Sequence, residues 1–389
     1  LVASKTPLRI LQVTAALDEG GVERGTLEMA AYTVARGVES HVASNGGKLV
    51  KELEAIGARH YRLPLASRAP WSILYCAWQL IRIIRKHQID LVHARSRAPA
   101  WAALIACRRT KTKFITTFHG AHKIQNRVKW FYNSVMTRGE RVIAISAFMR
   151  QHIMDNYFVA AAQIDVAPRG FDPHIFNPGL FSAQTRAELR ASLGIGADCP
   201  IISLPGRLTR LKGQTVFLKA LAQIQDLSWQ ALIIGGASKK APYEQELKSL
   251  AAELGLAPRV KFLGSQPDIA RFYAVSDIVV SASTEPEAFG RVAVEAQAMA
   301  KPIVASALGG SLETVKDAVT GRLYDVQDKH GLADALRRLL ANPELLPVMG
   351  QAGRAWVLDR FTTEKTCAAE WQAYMRTLEK TEKSASKCA

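Results

Sequence analysis

The residue types and spacing most capable of chemistry lie in Glu287-Ala-Phe-Gly-Arg-Val-Ala-Val-Glu295, two carboxylates eight positions apart around a Phe-Gly. Asp277-Ile-Val-Val-Ser281 before them has the apolar run of a buried strand, and Gly290 to Met299 has helical spacing. Glu287 therefore falls just before a helix, with Glu295 about one and a half turns into it. The amides of Phe289, Gly290, Arg291 and Val292 belong to the helix start, where unpaired N–H groups attract negative charge. Carboxylates accept sugar hydroxyls and amides accept oxyanions, so the segment suits a ligand that is part sugar and part phosphate. An ordinary surface helix with two solvated glutamates has the same spacing.

Upstream, Ile201-Ile-Ser-Leu-Pro-Gly-Arg207 reads as a strand ending in Gly-Arg, and Lys212-Gly213 opens a helix over Gln214–Ala222. Arg207 can grip a diphosphate with a fork of donors, and Lys212 as a point charge from the other side. Gly206 and Gly213 permit close backbone approach. Each motif alone is a weak signal; the two in one half-chain are a strong one.

Together these motifs resemble those of the family 4 glycosyltransferases, retaining enzymes of the two-Rossmann-domain GT-B type, and the likeness runs over almost the whole length. Arg207 and Lys212 match the family's diphosphate-binding pair, and Glu287 with Glu295 its Glu-x7-Glu signature. Gly20-Gly21 match the glycine loop after the first strand, and His119 in Thr-Phe-His-Gly matches the active-site histidine. Val260-Lys-Phe-Leu-Gly264 matches the strand whose backbone meets the base, whereas Arg169-Gly-Phe-Asp172 stands where many members have Asn-Gly-Ile-Asp. The resemblance implies an α/β chain of two Rossmann-like domains facing across a cleft. Residues 1–170 would form the acceptor domain and 171–361 the nucleotide-sugar domain, with a helix over 362–378 packing back on the first. It also implies transfer of a hexose from a nucleotide sugar with retention of anomeric configuration. In that scheme Glu287 holds the donor sugar, Glu295 the ribose, and His119 contacts sugar or acceptor. Gly20, Gly21, Phe289, Gly290, Arg291 and Val292 would approach the phosphates. Similar bacterial enzymes build lipopolysaccharides and glycolipids, so the expected acceptor is of that kind, met peripherally on the inner face of the cytoplasmic membrane.

The elements that must position these residues alternate. Strands are expected at Leu8–Thr14, Ile89–His93, Lys113–Phe118 and Arg141–Ile145, with helices at Gly21–Arg36, Ala98–Cys107 and from Ser146 as N-cap to about Tyr157. After a Pro- and Gly-rich linker, Pro168 to about Ser182, strands resume at Pro200–Leu204, Gln230–Ile234, Val260–Leu263, Asp277–Ser281 and Pro302–Ala305, and after Leu345 the chain is helical. Strand–helix alternation means right-handed βαβ units and parallel sheets, with ligands at the carboxyl ends of the strands. Gly20-Gly21, His93, Arg95 and His119-Gly120 all follow expected strand ends.

Composition narrows the classes further. The 389 residues carry five scattered cysteines, Cys76, Cys107, Cys199, Cys367 and Cys388, a pattern that fits a reducing cytoplasm and neither a disulfide framework nor a zinc site. There is no Asp-x-Asp motif and no His pair at ligand spacing, so no metal and no cofactor is expected; Arg207, Lys212 and helix amides take the metal's electrostatic role. The net charge of +17 is uneven: residues 1–170 hold 25 Lys and Arg against 11 Asp and Glu, and residues 171–389 hold 26 against 23. A basic first half points to an anionic partner. Trp71–His87 and Lys123–Arg141 are expected helices with Trp71, Leu74, Trp78, Ile81 and Phe131 among basic residues that include Arg82, Arg85, Lys86, Arg127, Lys129 and Arg138. They read either as interfacial helices or as helices with Trp78 and Phe131 in the core and a solvated basic face. Arg95 and Arg97 either bind anionic acceptor groups or sit on a solvated loop. The donor is expected to be a GDP- or UDP-hexose. A nucleotide-sugar 2-epimerase shares the architecture, and the charge would also suit nucleic acid, although no nucleic-acid-binding motif is present. The loop Asp18-Glu-Gly-Gly lacks the spacing of a dinucleotide fingerprint.

Overall fold

The computed structural model describes residues 7–18, 20–121, 124–236 and 242–379; Glu19, Lys123, Cys388 and the tail past Glu379 lie outside them. The chain divides into two compact units, one of residues 1–168 with 364–389, the other Arg169–Thr363.

The first unit runs β1 (Arg9–Val13), α1 (Gly21–Val34), β2 (Glu39–Ser44), α2 (Val50–Ala55), β3 (Arg59–Arg62), α3 (Pro70–His87), β4 (Leu91–Ala94), α4 (Arg97–Thr110), β5 (Lys113–Phe118), α5 (Arg127–Asn133), β6 (Arg141–Ala144), α6 (Ala147–Tyr157) and β7 (Ile164–Val166). Its seven strands lie in the order β3-β2-β1-β4-β5-β6-β7, all parallel. Between them β1 and β4 form the point where strand order reverses. Ser146 caps α6 as its sequence position predicts, accepting from the Met149 amide at 2.9 Å.

The second unit runs α7 (Ala183–Ser192), β8 (Ile201–Pro205), α8 (Gln214–Ala222), β9 (Gln230–Ile234), α9 (Tyr243–Glu253), β10 (Val260–Phe262), α10 (Ala270–Val275), β11 (Ile278–Ser281), α11 (Arg291–Ala298), β12 (Ile303–Ser306), α12 (Ser311–Thr314), β13 (Gly321–Tyr324), α13 (Gly331–Ala341) and α14 (Leu345–Arg360). Here the order is β10-β9-β8-β11-β12-β13, again all parallel, with the reversal between β8 and β11. Both faces are covered by helices, so the central strands are largely apolar; Ile202, Leu204, Ile233, Ile278, Val280 and Val304 are all fully buried.

The last helix, α15 (Thr363–Glu379), packs within the first unit, with Cys367, Ala373 and Tyr374 in the same core as Ile10, Leu91, Ile115 and Ile143. Among the described residues, Cys76, Cys107 and Cys199 are free thiols.

Two expected elements need correction. Lys123–Arg141 is not one helix: α5 is a short piece, a 3₁₀ turn over Ser134–Thr137 follows, and Arg141 already belongs to β6. Asn126 caps α5 by accepting from the Lys129 amide at 2.8 Å, which fixes its start. Trp78 and Phe131 are not core residues. Each is 52% exposed.

Candidate functional site

The β8/β11 reversal places two loops side by side at the carboxyl ends of adjacent strands, the position where open parallel sheets bind ligands. The loop after β8 carries Arg207 and Lys212, and the loop after β11 carries Glu287. Gly213 links the two. Its φ of +69° is left-handed, and a Cβ there would lie 1.8 Å from the Ala282 carbonyl oxygen, so only glycine lets the loops approach. The Thr284 amide donates to the Leu211 carbonyl at 2.9 Å and holds them together.

The charged groups meet across this seam. Lys212 Nζ donates to Glu287 Oε1 at 2.8 Å, and the Ser283 hydroxyl donates to the same oxygen. Both partners are partly open to solvent, so an arriving anion can compete with Glu287 for the ammonium. Arg207 is exposed, and its backbone carbonyl accepts from the Gln214 side chain at 3.0 Å.

Glu295 is only 8% exposed. Its two oxygens are separately held: Arg291 Nη2 donates to Oε1 at 2.8 Å and the Tyr273 hydroxyl to Oε2 at 3.0 Å. Burial, reinforced by the neighbouring Glu295 carboxylate, pushes the Tyr273 phenol well above its usual pKa. Tyr273 is thus a fixed donor, and it orients the carboxylate. Helix α11 opens at Arg291, with Gly290 as N-cap at φ +87°, and Arg291 and Val292 occupy its first turn. Phe289 is buried edge-on to Phe361, centroids 5.5 Å apart.

Several residues at this site carried no signal of their own in the sequence. Gly309-Gly310, after β12, back the Glu287 loop: the Gly310 amide donates to the Glu287 carbonyl at 2.8 Å, and a Cβ on Gly310 would lie 2.4 Å from the Phe289 backbone. Tyr273 is a single polar residue whose partner lies on another helix, and Ser283 reaches Glu287 within one loop. The Gly-Gly pair following a strand is the one feature that could have been read.

In the first unit, Gly20 is the N-cap of α1 and Gly21 its exposed first residue. A Cβ on Gly20 would strike the Glu23 carboxylate, which folds back over the helix start. His119 follows β5 directly and is half-buried.

Two expected site residues serve the fold instead. Arg95 is fully buried; its Nε donates to Gln12 Oε1 at 2.6 Å and its Nη2 to Glu370 Oε2 at 2.5 Å, tying α15 to the sheet. His93 lies inside β4 rather than beyond it, with ring nitrogens 2.6 Å from the Tyr374 hydroxyl and 2.7 Å from Thr117 Oγ1. Arg97 opens α4 and donates to Asn133 Oδ1 at 2.7 Å; burial lowers its pKa.

A cavity of about 570 Å³ in the second unit is lined by Pro200, Asp277 and Pro302, which immediately precede β8, β11 and β12. It lies at the amino ends of the strands, opposite the end where parallel sheets bind ligands.

Comparison with known proteins agrees with this fold. Residues 19–175 match the family described as Glycosyltransferase Family 4, and residues 185–356 match Glycosyl transferases group 1. A glycosyltransferase crystal structure from Rickettsia africae is 35% identical, covers 96% of this chain and 99% of its own, and superposes with a TM-score of 0.89. HepE from Anabaena, solved in complex with UDP, is 25% identical over 95% of this chain and 100% of its own, TM-score 0.83. D-inositol 3-phosphate glycosyltransferase from Xylanimonas cellulosilytica is 31% identical over 73% of this chain and 71% of that protein. Against some others of that name the match spans about half of the relative's length, 54% in Segniliparus rotundus. The chain belongs to the family 4 glycosyltransferases and is a GT-B enzyme that transfers a sugar.

Proposed function

We propose that the chain transfers a hexose, with retention of configuration, from a nucleoside-diphosphate sugar to a hydroxyl of an anionic acceptor: a sugar phosphate, a phosphoinositide or a lipopolysaccharide-type glycolipid. One observation carries this reading: Lys212 and Glu287 meet at the seam between β8 and β11, with Arg207 exposed on the same loop as Lys212. A leaving diphosphate draws Lys212 away from Glu287 and meets Arg207 from the other side. Glu287, so released, accepts hydroxyls of the donor sugar, while the α11 amides face the growing negative charge. These preorganised charges act where the transition state gains charge, and no metal is assigned a part. Glu295, held by Tyr273 and Arg291, is the ribose acceptor, and His119 works on the sugar or acceptor side.

The relatives whose names carry UDP, GDP-mannose and inositol 3-phosphate support a UDP- or GDP-hexose donor and a phosphate-bearing acceptor. The surplus of basic residues in the first half supports an acceptor presented on an anionic membrane, met peripherally from the cytoplasmic side. No helix among the described residues is long and apolar enough to cross a membrane.

The test is to incubate UDP-glucose and GDP-mannose with inositol 3-phosphate and with phosphatidylinositol, reading the product's anomeric configuration by NMR. An α-linked product from an α-donor, formed equally in chelator, is expected. Epimerised free sugar without acceptor would assign a 2-epimerase instead. Loss in EDTA restored by magnesium would return the diphosphate to a metal.

A further inference from the structure

Helix α3 turns its wrong residues outward. Trp71, Leu74, Tyr75 and Trp78 are 76%, 61%, 48% and 52% exposed, and they recur at i, i+3, i+4 and i+7. Arg82, Arg85 and Lys86, all exposed, continue the same stripe to the helix end. At 100° per residue the seven fall within about 120° of the helix surface. The opposite side holds Cys76, Ala77, Leu80 and Ile84, all buried against the unit. The helix is therefore apolar on both sides, and its core accounts for only one. Four large apolar side chains grouped on a water-facing stripe mark a contact surface, unlike the isolated exposed apolar residues of any protein.

Charge identifies the occupant. The 18 residues of α3 include no Asp or Glu, and its last turn carries Arg85, Lys86 and His87. Arg82 lies over the Trp78 ring, 4.8 Å from the centroid, which carries the basic end onto the aromatic one. Tryptophan and tyrosine suit the boundary between lipid headgroups and acyl chains, and lysine and arginine the anionic headgroup plane. A protein partner would need its own acidic stripe matched to this one; an anionic bilayer offers negative charge everywhere along it.

We propose that the outward face of α3 docks on an anionic phospholipid bilayer, with Trp71, Leu74, Tyr75 and Trp78 entering the headgroup–acyl boundary and Arg82, Arg85 and Lys86 meeting lipid phosphates. This deepens the reading of a membrane-presented acceptor and rests on it for its purpose. The face belongs to α3 and not to the segment that follows α5, where Arg138 is already engaged, donating to Ser134 Oγ at 3.0 Å and lying 4.7 Å from the Phe131 ring centroid.

Vesicle flotation of the full chain tests it, with phosphatidylcholine alone and mixed with phosphatidylglycerol. Recovery should require the anionic lipid and fall with salt. Replacing Trp71 and Trp78 by Ala should weaken partition about tenfold for each. Arg82→Gln, Arg85→Gln and Lys86→Gln should each weaken it about fivefold. All five positions are exposed, so melting temperature and the thermal shift with UDP should hold. That shift separates the two ideas: if UDP fails to bind the native chain, the donor reading is at fault, whatever the vesicles show. Equal recovery on neutral lipid, no recovery, or undiminished recovery of the tryptophan variants would overturn the proposal. So would a dimer that the tryptophan variants dissociate, or nucleic-acid binding lost with the tryptophans in place of lipid binding.

Discussion

At the scale of the residue, the two glutamates are held in different ways, and the difference predicts different kinetics. Glu287 is partly open to solvent and shares Lys212 and Ser283 as donors. Glu295 is buried with one donor on each oxygen. A group that binds the sugar matters most as charge develops there, so Glu287→Gln should lower kcat strongly with a smaller effect on UDP affinity. A group that binds the ribose is felt equally in ground and transition states. Glu295→Gln should therefore weaken UDP binding, and Tyr273→Phe should reproduce part of that loss by removing one neutral-to-charged hydrogen bond, about 1.5–3 kcal/mol. Steady-state kinetics with calorimetric UDP titration check both. If all three variants change affinity alone, Glu287 and Glu295 do not divide the donor in this way. Lys212 and Glu287 could be picked out by spacing because each sits in a motif. Arg95 could not be assigned, because its partner Glu370 is 275 positions away on a helix that returns late in the chain.

At the scale of the element, legibility followed apolar content. Lys113–Phe118, Gln230–Ile234 and Gln214–Ala222 have the same bounds in sequence and structure; the two strands run into glycine loops and the helix opens after Gly213. β2, β3, β7 and β13 escaped. β2 is Glu39-Ser-His-Val-Ala-Ser44, a polar string by composition, yet five of its six residues are buried because it is covered on both faces. β3, Arg59-His-Tyr-Arg62, is an edge strand whose charges face solvent. This polar edge brings a testable pH dependence. His41 is fully buried, its Nδ1 2.9 Å from the Tyr61 hydroxyl and its ring 5.2 Å from His87. Burial, then the charges of His87 and Arg59, hold its pKa down at about 4, against a weaker opposite pull from Glu39. His60 and His87 are lowered too, again first by burial. The unfolded chain takes up protons near pH 6.5 that the native chain refuses. Stability is therefore full above that pH and is lost as pH falls towards 4, by up to about 3 kcal/mol for His41 alone. Urea midpoints between pH 7.5 and about 4.5 should slope downwards, and His41→Phe should flatten the slope whatever it costs at neutral pH. An unchanged slope would place the titration elsewhere. The Gly213 turn is the element-scale counterpart at the site. Gly213→Ala should destabilise by more than about 1 kcal/mol and weaken UDP binding by displacing Lys212. Gly196→Ala, where a Cβ meets nothing within 4 Å, is the matched control. Equal thermal stability of the two variants would mean the loop relaxes without cost.

At the scale of the whole molecule, the two sheets have separate cores. Ile10, Met29, Leu91, Ile115 and Ile143 pack with α15 in one; Phe217, Leu221, Trp229, Ile278 and Leu336 pack together in the other. Each unit thus has the apolar material to unfold as its own cooperative body, and a single unfolding free energy does not describe the chain. Arg207 and Lys212, proposed to meet the diphosphate, and Glu287, proposed to hold the sugar, all belong to the second unit. A nucleoside diphosphate that binds the folded second unit stabilises it by mass action, by about 2.7 kcal/mol at a hundred times its dissociation constant. Hydrogen exchange reads this segment by segment. With saturating UDP, slowly exchanging amides of β8, β9 and β11 should gain about a hundredfold protection, the same free energy expressed as a rate. Amides of β4 and β5, in the other core, should exchange at their original rate. Arg207→Ala and Lys212→Ala should each reduce the gain without changing exchange in the absence of UDP, because neither side chain belongs to the core. Equal protection of both sheets would mean that the units unfold as one body. Protection confined to β4 and β5 would move the nucleotide to the first unit and detach the Lys212–Glu287 pair from the donor altogether.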